Sequence, residues 1–245
     1  MEVHAHTHTE RKKWTHYLWE FIMLFLAVFC GFLAENQREH MVEHQREKQY
    51  MQSMLEDLIQ DTLEIKKISL INTTNIKYID TLLNILRLPL SGDIKTRQRL
   101  YAFMTASMGG ELAIFSQRTL SQLKNAGGLR LVRKKEVADL ISLYDSKIQY
   151  LLVVGKSLDE TTTDATRVGS EIFDLNYYRA DHDYKYDLIS YDAKILKKFS
   201  NCAQVVQSVF YYYEDHLQEE KQVAIRLIQL IKKQYHISER ASLEK

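Results

Sequence analysis

Residues 14–58 read WTHYLWEFIMLFLAVFCGFLAENQREHMVEHQREKQYMQSMLEDL, and two kinds of helix follow one another within them. From Phe21 to Ala34 there is no charged residue, and extension back to Trp14 meets only His16 and Glu20 as interruptions. Those about 21 residues, at about 1.5 Å each, make roughly 30 Å of helix, the thickness of a bilayer's hydrocarbon core. Trp14, Tyr17 and Trp19 gather at the N-terminal edge, where amphipathic rings prefer the headgroup level, and Arg11, Lys12 and Lys13 precede them. The residues expected to face lipid or its interface are Trp14, Tyr17, Trp19, Glu20, Phe21, Leu24, Phe25, Val28 and Phe32. Between Glu35 and Leu58 there is neither glycine nor proline, so the helix is expected to continue without a break into a second, water-exposed stretch.

A cleaved signal peptide would share the basic start and the apolar run. Phe32 is too bulky for the small-residue position two places before a cut after Ala34, and Phe29 before Cys30 makes a poor lipoprotein site, so the run reads as a retained anchor. Its direction follows from charge. Arg11, Lys12 and Lys13 lie on one side, and Arg38, Arg46 and Lys48 on the other. The first three sit closer to the membrane edge, which favours an inside N-terminus and a C-terminal domain outside. Glu20 has two readings: a pore-lining carboxylate, or an interfacial one an i,i+4 step from His16. Its place near the end of the span favours the second.

The composition agrees with long helices. The chain of 245 residues has one proline and eight glycines, a low number of breakers. Lys and Arg number 33 against 32 Asp and Glu, which excludes the strongly basic footprint of a nucleic-acid binder. The two cysteines, Cys30 and Cys202, make no disulfide framework.

Three stretches alternate steps of three and four between apolar positions, the spacing of helices packed side by side. The first runs Met51, Leu55, Leu58, Thr62, Ile65, Ser69, Asn72, Ile76, Ile79, Leu83, Leu86. The second runs Val137, Ile141, Tyr144, Ile148, Leu151, Gly155, Leu158, Thr162, Ala165, Gly169, Ile172. The third runs Leu196, Phe199, Ala203, Val206, Phe210, Tyr213, Leu217, Glu220, Ala224, Leu227, Ile231, with Glu220 its one charge. The first helix is expected to end at Arg87, before Pro89, Ser91 and Gly92. Shorter helices are expected over Ile94 to Ser107 and Ser116 to Lys124, stopped by Asn125, Ala126, Gly127 and Gly128. The tyrosine-rich segment from Asn176 to Ile189 links the second long helix to the third. At about 1.5 Å per residue the long helices are roughly 65 to 80 Å, which predicts a rod. The expected class is all-α: one N-terminal transmembrane helix continuous with an elongated antiparallel helical bundle. Its parts are a His-containing tail over 1–13, the transmembrane helix over 14–35, the bundle over 36–237 and a C-terminal tail over 238–245.

Few constellations carry chemistry. His40, Glu43 and His44 spell H-x-x-E-H, which sets two imidazoles on one helical face and makes these three the candidate metal ligands. A peptidase also needs a third ligand and a substrate cleft, so the preferred reading is a solvated juxtamembrane face. His4, His6 and His8 alternate in a tail with no preformed geometry. Asp181, Asp183, Asp187 and Asp192 have the offsets of a calcium loop, but Lys185 takes a ligand position and Tyr186 replaces the turn glycine. Arg130, Arg133, Lys134 and Lys135 are the densest basic cluster, a candidate anion or lipid-headgroup site whose bland alternative is a solvated charge run. No glycine-rich phosphate loop, G-x-S-x-G or catalytic cysteine motif occurs, and Cys202 reads as core.

The anchor run WTHYLWEFIMLFLAVFCGFLAENQREH, then REKQYMQSMLEDLIQDT, and later LSQLKNAGGLRLVRKKEVADLISLYDS, resemble a group of Bacteroidota single-pass membrane proteins of unknown function. The likeness covers the anchor and the middle of the chain and leaves the C-terminal third aside. It implies a Gram-negative inner membrane and carries over no catalytic residue. The functional expectation is a membrane-anchored helical scaffold or sensor with a periplasmic domain, without catalysis or cofactor. Its expected partners are the lipid bilayer, a second copy of itself, and other membrane or periplasmic proteins. The alternative is a homo-oligomeric channel or transport accessory lined by the N-terminal helix.

Overall fold

The computed structural model describes residues 14–88, 90, 93–125, 127–179 and 185–237. The fold is all-α. Its helices are α1 (Trp14–Leu86), α2 (Ile94–Ser107), α3 (Arg118–Asn125), α4 (Lys135–Gly169) and α5 (Ala193–Tyr235). Among the described residues the only β feature is one isolated bridge between Phe173 and Leu188. The chain divides into two compact units, Met1–Gln49 and Tyr50–Lys245.

In the first unit α1 is one helix long and apolar enough to cross a membrane, with an 18-residue window of mean hydropathy 2.1 of which no residue is buried. Phe21, Phe25 and Phe29 stack along one side with centroids 6.3 and 5.8 Å apart, the i,i+4 spacing that makes side chains neighbours on a helix.

The second unit is a helical bundle, and the three predicted seams are its core. On α1 the seam residues Met51, Leu55, Leu58, Ile65, Ile76, Ile79 and Leu83 are buried; on α4, Val137, Ile141, Tyr144, Ile148, Leu151 and Leu158; on α5, Phe199, Ala203, Val206, Phe210, Tyr213, Leu217, Leu227 and Ile231. Side-chain pairs give the directions. Lys147 Nζ meets Glu219 at 2.7 Å and Lys198 Nζ meets Glu171 at 3.4 Å, so α5 runs antiparallel to α4. Gln218 donates to Ser69 at 3.0 Å and Gln207 to Asp80 at 2.6 Å, so α5 is antiparallel to this part of α1 as well.

The fourth side of the bundle is a broken limb. α2 starts on Asp93, whose carboxylate accepts from the backbone N–H of Lys95 and Thr96, bonds that hold its carboxyl below the ordinary range. α2 buries Leu100, Tyr101 and Met104. From Gly109 to Gln117 the chain then runs without regular structure before α3 begins. This limb descends along α1: Gly109 bonds Asn75, Glu111 pairs with Lys67, Ser116 bonds Asp61 and Thr119 bonds Asp57. Leu112 packs onto α4 at Gly155, where a Cβ would come within 3.2 Å of the leucine side chain and the leucine would have to give way by a few tenths of an ångström.

Beyond α4, Tyr101 of α2 organises the crossing to α5. Its hydroxyl donates to Asp187 O at 2.8 Å and accepts from Asp174 N–H at 2.9 Å, and its ring meets the edges or faces of Phe173, Tyr177 and Tyr186 within 5.5 Å. The tyrosine-rich linker is therefore folded onto the core where it is described, with a short 3₁₀ turn at Leu175–Arg179. Asp192 caps α5 through Lys194 N–H at 2.7 Å.

Three expected boundaries change. α1 ends at Leu86; Pro89, Ser91 and Gly92, predicted to break it, lie outside the described residues. α3 begins at Arg118, two residues beyond the expected start, and its first turn is held by Asp57, which accepts from Thr119 N–H and Oγ1. α4 ends at Gly169 and leaves Ile172 buried just beyond it, in the turn that leads to the bridge. Of the predicted stop after α3, Ala126 is outside the described residues, and Gly127 takes the left-handed conformation at φ 66° that favours glycine.

Candidate functional site

Trp14, Tyr17, Trp19, Phe21, Leu24, Phe25, Val28 and Phe32 are all exposed. Glu20 Oε1 stands 3.0 Å from His16 Nε2, an i,i+4 pair at the aromatic end of the span. Cys30 is exposed on the same stretch, and Cys202 is half-buried against the bundle core.

On the following turns His40 Nδ1 lies 3.9 Å from Glu43, and His44 Nδ1 lies 3.5 Å from Glu47. The two imidazoles of the H-x-x-E-H motif thus each have a carboxylate three residues on. Among the described residues no group of three or more His, Cys, Asp or Glu side chains is placed to hold a metal ion. Asp187 pairs with Arg97 at 3.0 Å and Asp192 is the α5 cap; Asp181 and Asp183, with His4, His6 and His8, lie outside the described residues. Arg130, Arg133, Lys134 and Lys135 are exposed, and they span the short 3₁₀ turn Gly128–Leu131 and the start of α4, where Lys134 occupies the cap position without a side-chain cap bond. The nearby groove is lined by Glu136, Asp139, Leu140, Leu143, Arg226 and Leu230, so its acids are part of the wall beside that cluster.

A polar layer inside the bundle has no counterpart in the sequence reading beyond Glu220. An extended segment outside a sheet leaves its backbone donors without a ladder, and buried donors must find side-chain acceptors. Here the acceptors come from the helices around it. Asp61 Oδ1 accepts from Ser116 N–H at 2.8 Å, the Tyr213 hydroxyl accepts from Ala113 N–H at 3.0 Å, and Asn75 donates to Gly109 O at 2.7 Å. One turn before Asp61, Asp57 accepts from Thr119 N–H and Oγ1 and from Arg118 at 3.0 Å. Asp61 Oδ2 accepts from the Tyr144 hydroxyl of α4 at 2.6 Å.

Burial dominates the electrostatics of this layer. It raises the Asp61 carboxyl against the opposing hydrogen bonds from Tyr144 and Ser116, and it raises the hydroxyls of Tyr144 and Tyr213. Glu220 of α5 completes the layer. It is fully buried, and neither carboxyl oxygen has a hydrogen-bond partner. Burial pushes it up to about 8, with Lys147 opposing and Asp61 adding to the rise. The interrupted seam was the visible sign of this residue. Asp57 and Asp61 were hidden because an i,i+4 pair of acids beside a seam is the ordinary pattern of a solvated helix flank.

Family models, curated proteins and solved structures were all compared with the chain, and none matches.

Proposed function

We propose that the protein is a non-enzymatic, single-pass scaffold or sensor of a bacterial inner membrane, with the bundle in the periplasm and acting through protein contacts. One observation carries this reading. A single helix, α1, contains both the apolar window, with no residue buried, and the core residues from Met51 to Leu83 that build one side of the bundle. A side chain that is apolar all round a helix and nowhere covered by protein belongs in lipid or against another protein.

The side of the membrane rests on the flanking charges, and oligomerisation on the exposed face of the anchor. The decisive experiment joins both. Cys202 and Cys30 are the only thiols in the chain, so a Cys30→Ser variant leaves one reporter in the bundle. In intact cells that reporter should react with a membrane-impermeant thiol reagent that crosses the outer membrane, once mild denaturation has confirmed that it can react at all. In-cell crosslinking of the same variant should trap a specific partner or a second copy. Labelling only after the inner membrane is opened would reverse the orientation. A strict monomer in detergent with no crosslinked product in cells would sink the scaffold reading.

A further inference from the structure

We propose that residues 109–117 form a strap whose closure depends on Glu220 keeping its proton, so that the bundle contains a pH-sensitive opening. This goes beyond the anchor reading and does not depend on it. The strap is the weakest wall around the polar layer. α4 and α5 each bury a seam that runs most of their length, whereas the segment buries only Ala113 and Phe115 and is otherwise held by single hydrogen bonds, an exposed Glu111–Lys67 pair and the contact of Leu112 with Gly155. Segments with few buried apolar contacts open first.

The layer behind it holds three carboxyls. Asp57 and Asp61 are satisfied by strap and α3 donors and by Tyr144, while Glu220 is enclosed and unpartnered. A neutral carboxylic acid is tolerable in that position. A carboxylate there would stand unsolvated within electrostatic reach of Asp61 and Tyr144.

The groups facing it offer little relief. On α1 Asp61 adds to the rise, and the residues a turn to either side of it, Asp57 and Glu64, are acidic too. On α4 they are Tyr144, already donating to Asp61, and Lys147, whose ammonium is held by Glu219 at 2.7 Å. On α5 itself, His216 turns Nδ1 towards Glu219 at 3.4 Å and Tyr213 donates no proton to Glu220 but accepts Ala113 N–H. On the limb, Arg118 is committed to Asp57 and Glu111 to Lys67. Water is the remaining way to solvate the new charge, and the entry that breaks the fewest contacts is past Ser116, the strap residue bonded to Asp61. Burial raises the Glu220 carboxyl to about 8, so opening is favoured progressively as pH rises from the ordinary carboxyl range and gains nothing further above about 8.

Hydrogen exchange on the full-length chain in detergent tests this between pH 6 and 9.5, after correction for base-catalysed intrinsic exchange. Protection of the 110–118 amides should fall by up to about tenfold for each pH unit as pH rises towards about 8, the limit for release of one linked proton, and level off above that value, where Glu220 is ionised in closed and open states alike. Amides of α4 and α5 should keep their protection. Glu220→Gln should abolish the step. If a buried amide in that place prevents folding, as circular dichroism would reveal, Glu220→Met keeps the volume and removes the polar group. Wild-type protection that follows intrinsic exchange alone, a step that persists in either folded variant, or simultaneous loss of protection across the helices would each overturn the proposal. Should neither variant fold, an infrared titration of the wild type decides. A protonated-carboxyl band that disappears around the pH at which strap protection levels off supports the device, and its absence at pH 6.5 refutes it.

Discussion

The two stretches of α1 on either side of Gln49 share one backbone geometry and differ in where their apolar side chains go. From Met51 to Leu83 burial recurs every three or four residues, and Leu63 and Leu70, which fall off the seam, are left exposed. From Trp14 to Leu33 the large apolar residues lie all round the helix, and apart from the half-buried Ile22 they are exposed. A striped helix has one apolar neighbour, whereas a helix apolar on every side has apolar surroundings. Hydrophobicity therefore has opposite meanings in the two halves. In one it measures a contribution to the core, and in the other an affinity for something outside the chain.

The comparison breaks most sharply where a charge is placed in each half. Leu58→Lys puts an ammonium at a fully buried seam position, and the bundle should lose more than about 4 kcal/mol, read as a collapse of the thermal transition. The matching change in the other half, Leu24→Lys, should leave the bundle's melting temperature where it was. It should instead cost about 3 kcal/mol of membrane insertion, read as loss from the alkali-resistant membrane fraction. A melting temperature that fell as far for Leu24→Lys as for Leu58→Lys would mean that the apolar stretch is a folding element after all. The smallest effect sharpens the stripe itself. Leu70→Ala removes a side chain of the bundle half that is 71% exposed, and its stability change should stay within about 0.5 kcal/mol.

Much of this was legible along the chain. The three seams predicted which faces pack, and they did so because a period between 3.5 and 3.6 leaves little choice once a helix is long. The limits of α2 were expected at Ile94 and Ser107 and are found there, with Asp93 capping the first turn. The start of α3 could not be read, since the segment before it is held by a bond from Ser116 to Asp61, 55 residues away, that nothing local announces. The polar layer was the least visible part. Glu220 interrupted its seam and so announced itself, but nothing local tells whether such an interruption is a flaw in the stripe or a buried carboxyl. Tyr101 is a similar case: it lies in an unremarkable α2 sequence and meets three further rings only when Phe173, Tyr177 and Tyr186 fold back on it.

By itself the sequence determined the helical class, the apolar stretch at the N-terminal end of α1, and the faces that pack, because these depend on composition and on spacings of three and four within one helix. Tertiary structure alone decided that residues 109–117 would be extended, that Asp57 and Asp61 would leave the solvated flank to hold the strap, and that Glu220 would be enclosed beside them. Those outcomes depend on which helix stands at which height against another. A hydrogen bond across 55 residues, such as Ser116 to Asp61, exists only after that choice is made.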